Sequence, residues 1–272
     1  MADRRAIGVF DSGLGGLTVV KELAKALPNE DIIYFGDTGR VPYGTRSRDT
    51  IRKYAAEDEA FLLSKDVKLI IAACGTVSSV AADTAENLPV PFFEVVTPAA
   101  REAVSLTKNG KIGVIGTAAT IKSARHEKNI KALMPEAQVT ATSCTMFVPL
   151  VEEGWHNSED IIVLETVKRY LSDIVKSGCD TLILGCTHYP VLSDAIQKVV
   201  GRDVRLVNAG TATAEAVKEY LNKNGIATDK KDNGVYRFFV SDKPESFRNI
   251  ASSLLGETVD EDMVEQVSLN DL

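Results

Sequence analysis

The hydrophobic pattern of the chain turns on two apolar runs of the same design. IIAACGTVSS (70–79) and LILGCTHYPVLS (182–193) are aliphatic and β-branched up to a cysteine, and small or polar after it. A strand buried on both faces of a parallel sheet reads this way, with a polar turn at its carboxyl end. In open α/β sheets that end is where ligands bind. Each run therefore sets one thiol, Cys74 or Cys186, at the mouth of a sheet. Two such thiols facing each other across a cleft would form a matched acid/base pair.

The rest of the first half alternates in the same way. A strand over 6–10 ends in DSGLGG (11–16), a glycine-rich loop that opens a helix over 17–27. Leu17, Val20, Leu23, Ala24 and Leu27 recur there at helical spacing before Pro28. Backbone N–H groups at such a terminus favour an anion. No Gly-Lys-Ser/Thr comes next and GxGxxG is not matched, so the loop is not read as a nucleotide site. A strand over 31–35 leads into the long turn GDTGRVPYG (36–44). Next come a helix over 48–63, the Cys74 strand, a helix over 78–88, a strand over 90–95 and a helix over 98–106.

The second half starts over. KIGVIG followed by TAATIKS (111–123) echoes AIGVFD followed by SGLGGLT (6–18). Ile7 and Ile112 are 105 residues apart, Cys74 and Cys186 112. Near-equal offsets at matching strand ends predict an internal repeat. Helices are expected over 123–133, 158–176 (closed by Gly178), 190–200 and 211–224 (capped by Thr211, with Gly225 beyond the end). Strands are expected over 138–143, 180–185, 204–207 and 235–240, then a last helix from Pro244 to Gly256. Residues 257–272 are expected to be a docked tail. The implied fold class is α/β, with two pseudo-symmetric doubly wound lobes of mostly parallel sheet and the active site between them. The lobes are expected to be discontinuous, 1–97 with 211–272 as one and 98–210 as the other. The repeat restarts near Lys111, and the final strand and helix have no slot in the second copy.

Composition narrows the class. Hydrophobic residues at 44% and charged residues at 25% suit a soluble globular protein, and 272 residues can bury a sizeable core. A net charge of -7 argues against nucleic acid or an anionic membrane as partner. The start, MADRRAIGVF, enters a strand at once, so no signal peptide is expected, and no apolar run is long enough for a membrane span. Four cysteines, none in a CxxC pair of zinc spacing, make neither a disulfide scaffold nor a metal site. A reducing cytoplasmic setting leaves their thiols free.

The residues after each cysteine divide the four into two kinds. Cys179 and Cys144 read as small buried hydrophobes, with the Cys144 turn bordering the site. Cys74 and Cys186 precede polar turns, Gly75-Thr76 and Thr187-His188, where core packing wants none. His188, two positions after a thiol, is a proton partner or a donor to a substrate carboxylate. Asp11, at the matching strand end, either plays that part for Cys74 or caps the 17–27 helix.

FDSGLGGLTV, DTGRVPYG, the first cysteine turn, GTAATIKS, FVPLVEEG and GCTHYP stand in the order found in bacterial glutamate racemases, which this chain resembles from Ile7 to about Ala214. GCTHYP separates it from the aspartate racemases, whose second cysteine is typically followed by Thr-Glu. The resemblance implies a cofactor-independent, metal-free racemase in which two cysteines on opposite faces of the α-carbon exchange its proton. Cys74 would deprotonate D-glutamate and Cys186 L-glutamate, assisted by Asp11, His188 and Glu152. Ser12, Pro42, Tyr43, Gly44, Gly75, Thr76, Thr117, Thr120 and Thr187, with Asp11 and His188, would hold the substrate. It further implies a cytoplasmic homodimer supplying D-glutamate for peptidoglycan synthesis, with no nucleic-acid or membrane partner. The chain departs from the family where Gly75 replaces an asparagine, His126 a tyrosine and Asn208 an acidic residue. The lost asparagine amide is expected to weaken substrate binding, and Gly75→Asn to lower KM.

Three other readings remain at this point. One is racemisation of another amino acid, such as aspartate, on the same scaffold. Another is a binding protein for an acidic amino acid, which would need neither thiol. The third is a cysteine hydrolase, which would leave the second thiol unexplained.

Overall fold

Strands that read as unbroken apolar runs are buried on both faces, and the computed structural model shows where each face goes. It describes residues 1–256 and 258–268. Among them, β1 (Ile7–Asp11), β2 (Ile32–Gly36), β3 (Leu69–Ala72), β4 (Phe92–Glu94), β5 (Lys111–Gly116), β6 (Gln138–Ser143), β7 (Thr181–Leu184), β8 (Arg205–Asn208), β9 (Tyr236–Val240) and β10 (Val264–Gln266) form two sheets. Their orders are β10-β9-β2-β1-β3-β4 and β6-β5-β7-β8. Every pairing is parallel, with Ile7 opposite both Ile32 and Leu69, and Ile112 opposite Thr181. The unit β2-β1-β3-β4 thus recurs as β6-β5-β7-β8. The larger sheet draws its extra strands from the end of the chain.

Alternation sorts the side chains. Ile7, Val9, Leu69 and Ile71 face a core shared with Ile112, Val114 and Ile183 of the other sheet. The Leu17–Ala26, Val96–Leu106 and Ala209–Asn224 helices contribute Leu17, Val20, Ala99, Ala103 and Val217 to that same core. Phe10, Ile70 and Ala72 face the outer core of the first sheet, and Ile115, Leu182 and Leu184 that of the second. The long Ile161–Ser177 helix shows how sequence writes one outer layer. Val163, Val167, Leu171 and Ile174 line its buried stripe, Asp160 accepts the Ile162 and Val163 N–H groups, and Gly178 closes it at φ 66°.

Several expected elements differ in their ends. The helix expected over 78–88 is a Gly75–Val80 helix followed by a 3₁₀ turn at Ala82–Asn87. It starts directly on the cysteine, and the Ser78 hydroxyl donates to Ala72 O instead of capping. Thr211 is not a cap: Asn208, the last residue of β8, accepts the Gly210 N–H at 2.9 Å, so strand passes to helix without a loop. The Phe147–Glu152 helix is not among the expected elements; its Pro149 falls in the first turn, where proline is tolerated. Of the tail, β10 pairs with β9, Val264 opposite Phe238; residues 257 and 269–272 lie outside the described residues.

Candidate active site

The carboxyl ends of β1 and β3 meet those of β5 and β7. Thr76, after β3, lies 3.0 Å from Thr117, after β5, hydroxyl to hydroxyl, and Thr117 lies 3.0 Å from Thr120. Thr18 Oγ1 is 2.9 Å from both Gly15 O and Thr187 O, tying the loop after β1 to the turn after β7. Glycines make this approach possible. A Cβ on Gly15 would come within 2.6 Å of the His188 ring, and one on Gly75 would run into the carbonyl oxygen of Gly185. The two cysteine turns are therefore in backbone contact, each thiol buried beside the seam.

On the Cys186 side, Sγ sits 3.8 Å from His188 Nδ1, and His188 Nε2 sits 3.1 Å from Glu152 Oε1. Burial works against a charged ring. The hydrogen bonds that the ring donates to Cys186 and Glu152, with the negative charges of Cys186 and Asp11 nearby, outweigh it and raise the His188 pKa to about 10. The surroundings thus favour the protonated ring, which stands where it can exchange a proton with the sulfur. Cys144 borders this half, its thiol pushed up to about 12 by burial and by the adjacent Cys186. Cys179 is packed away, its Sγ 3.7 Å from Ile174 O.

The Cys74 side has the opposite electrostatics. Burial first, and then the charge of Asp11, push the Cys74 thiol up to about 12, although Ser12 Oγ stands 3.6 Å from Sγ. Charge on Cys186 adds to the rise. Asp11 is fully buried, and burial raises its pKa against the pull of His188 and of the Gly16, Gly13 and Ser12 N–H groups. The glycine loop thus spends its N–H groups on Asp11, with Gly13 N at 3.1 Å, instead of leaving them all for a ligand. Nor does Asp11 cap the helix: Gly16 holds the N-cap position. Asp11 Oδ1 has no partner among the described residues.

The other expected residues separate. Gly44 packs on Thr117, where a Cβ would lie 3.1 Å from that residue's own, so the 36–44 turn reaches the seam. The Tyr43 hydroxyl points away, bonded to Asp37 and 3.0 Å from Asp58, which leaves its backbone and that of Pro42 to serve the site. Arg40 lies on the same carboxylates and over the Tyr54 ring at 4.0 Å, fixing the turn from behind. Gly75 cannot have held a longer side chain in this backbone. His126 is buried with neither ring nitrogen partnered among the described residues, its pKa lowered to about 4 by burial, and packs behind Gly185. Sequence reasoning missed Gly15, Gly185 and Asp58. Gly15 stands in the DSGLGG loop and Gly185 just before Cys186, so the glycines of that loop and of the second cysteine turn were the available signal for the first two.

Residues 7–217 match the Asp/Glu/hydantoin racemase family. The glutamate racemase of Geobacter metallireducens is 45% identical over 266 residues, 97% of each chain. The solved glutamate racemase of Francisella tularensis in complex with D-glutamate is similar at TM-score 0.91 and 40% identity, over 99% of this chain and 100% of that one. The Thermus thermophilus glutamate racemase in complex with β-chloro-D-alanine gives 0.89 at 42% identity, over all of both chains.

Proposed function

The chain belongs to the Asp/Glu/hydantoin racemase family and is a glutamate racemase, and we propose that it works with two bases, Cys74 and Cys186, on opposite faces of the substrate's α-carbon. The observation that carries this reading is the pairing of the two thiols at the ends of β3 and β7, joined through the Gly75–Gly185 contact. Inversion needs a proton acceptor on one face and a donor on the other, and a repeated βαβ unit supplies one of each.

From L-glutamate, the Cys186 thiolate takes the α-proton while the Cys74 thiol gives its own to the opposite face. No bond to the protein forms, and each sulfur ends in the other's starting state. His188 and Glu152 move the proton at Cys186, and Asp11 serves Cys74. A thiol held near pKa 12 stays protonated at rest, which suits Cys74 as donor in this direction. For D-glutamate the roles reverse, and the substrate's α-ammonium offsets the Asp11 charge that opposes a Cys74 thiolate. The carbanion-like transition state is stabilised by preorganised donors in a site closed to water. The buried hydroxyls of Thr76, Thr120 and Thr187 and the hydroxyl of Thr117, with Ser12 and the Pro42-Tyr43-Gly44 backbone, are the groups at hand.

The family resemblance carries the remaining readings: a cytoplasmic homodimer that needs no cofactor and feeds D-glutamate to peptidoglycan synthesis. The two sheets support assigning 1–97 with 211–272 to one lobe and 98–210 to the other. Among the described residues no helix is long and apolar enough to cross a membrane. The test is circular dichroism of L- and D-glutamate incubated separately with purified protein and no added cofactor. Both signals should decay to zero. A flat trace from either enantiomer, or decay with aspartate alone, rejects the reading.

A further inference from the structure

Behind the 36–44 turn lies a buried acid pair that the proton chemistry does not use. Of residues 38–50 Tyr43 alone is buried, so its side chain is the anchor beneath a surface turn. The Tyr43 hydroxyl meets two carboxyl groups at once, bonded to Asp37 Oδ2 and 3.0 Å from Asp58 Oδ2. Both acids are fully buried. A phenol has one proton to give. Asp37 already accepts from Arg40 Nε at 2.6 Å and from Ser241 Oγ at 2.8 Å, the company an ionised carboxylate keeps. Asp58 accepts only from Arg40 Nη2, at 3.2 Å on its other oxygen. Arg40 also pairs with Glu57, so one cation faces three carboxyl groups. With both buried acids ionised, one of the two Tyr43 contacts would set lone pair against lone pair where no water reaches. A proton on Asp58 removes that conflict: Asp58 Oδ2 donates to Tyr43, and Tyr43 donates to Asp37. Burial, and then the Asp37 charge, push the Asp58 carboxyl towards this neutral form.

We propose that Asp58 is a positioning residue for the substrate, its neutral carboxyl aiming Tyr43 and Tyr43 setting the Pro42-Tyr43-Gly44 backbone over the seam. This rests on the reading of that backbone as a substrate contact. The path is short. Tyr43 opens the 3₁₀ turn Tyr43–Thr45, and Gly44 beside it packs on Thr117. Thr117 in turn lies 3.0 Å from both Thr76 and Thr120. Asp58 stands on the Arg48–Ser64 helix, which Ile51, Ala55 and Leu62 fix to the outer core of the first sheet beside Phe10 and Ile70. A rigid element thus carries the acid, and an otherwise exposed turn carries the substrate contact. Neither sulfur belongs to this path, so it bears on affinity ahead of proton transfer.

Racemisation followed by circular dichroism from each enantiomer separates KM from kcat for Asp58→Asn, Asp58→Leu and Tyr43→Phe. Asparagine copies the neutral acid, with an amide to give Tyr43 and an oxygen for Arg40, so both constants should keep their wild-type values. Asp58→Leu fills the space without a donor, and Tyr43→Phe keeps the ring without the hydroxyl. Each should raise KM by about ten-fold, the scale of one lost hydrogen bond, with kcat nearly unchanged. The double variant should raise KM no further than either alone, because both cut one path. Melting temperatures check folding, and if Asp58→Leu does not fold, Asp58→Asn and Tyr43→Phe decide. A KM raised about ten-fold by Asp58→Asn would mean an ionised Asp58 held by Arg40. A wild-type KM in folded Asp58→Leu or Tyr43→Phe would mean packing alone. Either result overturns the proposal. Turnover by the wild-type protein reads the two-thiol account separately, so neither result is confused with a failure of that account.

Discussion

Adding one methyl group at Gly75 should separate the two cysteine turns. A Cβ there meets the Gly185 carbonyl oxygen far inside van der Waals contact, and would also lie 3.3 Å from the Gly185 carbonyl carbon and 3.7 Å from the Cys186 Cα. All three are backbone atoms, so no rotamer change relieves the overlap and the seam itself must open. Overpacking of this kind costs about 1–3 kcal/mol, or roughly 2–10 °C in Tm for a chain of this size. Opening the seam by about 1 Å displaces one sulfur relative to the other, and a misplacement of that size costs roughly 100-fold in rate. Gly75→Ala should therefore lower kcat for both enantiomers with a smaller change in KM, measured by circular dichroism alongside thermal unfolding. Gly75→Asn should do the same, contrary to the expectation that a restored amide lowers KM. A Gly75→Asn enzyme with wild-type Tm and improved KM would show that the seam opens freely, and would refute this reasoning.

Two further outcomes rest on buried charges. Burial pushes the Glu59 carboxyl up to about 7, with Thr84 pulling it back and Asp83 adding to the rise. A folded pKa above the unfolded one gives stability that is present below about pH 4.5 and lost as pH rises through 7. Glu59→Gln, which keeps an acceptor for Thr84, should raise stability at pH 8 by about 1–2 kcal/mol after screening and change nothing near pH 4. Equal melting temperatures at pH 8 would contradict it. Glu152→Gln removes one of the bonds that raise His188 to about 10. The alkaline limb of kcat/KM should then move to lower pH, identically in both directions because racemisation has an equilibrium constant of unity. A limb that stays in place would detach Glu152 from the proton path.

The sequence made the strand cores and the thiols legible because strands buried on both faces leave unbroken apolar letters, and polar turns after Cys74 and Cys186 break the rule for a core. The features it hid depend on partners far along the chain. The loop of Gly15 and the turn of Gly75 stand out locally, but the reason each must be glycine lies in His188 and Gly185, more than a hundred residues away. Tyr43 has the look of a ligand contact, yet its hydroxyl is used by Asp37 and Asp58. Asp58 itself, inside YAAEDEAFLL, reads as part of a solvated helix face, although it is fully buried, with its pKa raised well above the carboxylate range by burial and by the Asp37 charge. Helix starts shifted because they fall directly on the strand ends: on Cys74 with no side-chain cap, and on Asn208, whose own side chain caps ahead of Thr211.

The two-thiol assignment is tested most directly by removing each sulfur and asking only for deprotonation. β-Chloroglutamate loses chloride once its α-proton is taken, so elimination needs one base where racemisation needs two. Cys74→Ala and Cys186→Ala should both fail to racemise glutamate in either direction. Cys74→Ala should still eliminate chloride from the L-isomer, through Cys186, and Cys186→Ala from the D-isomer, through Cys74. Elimination from the same isomer by both variants, or wild-type racemisation by either, would contradict the account.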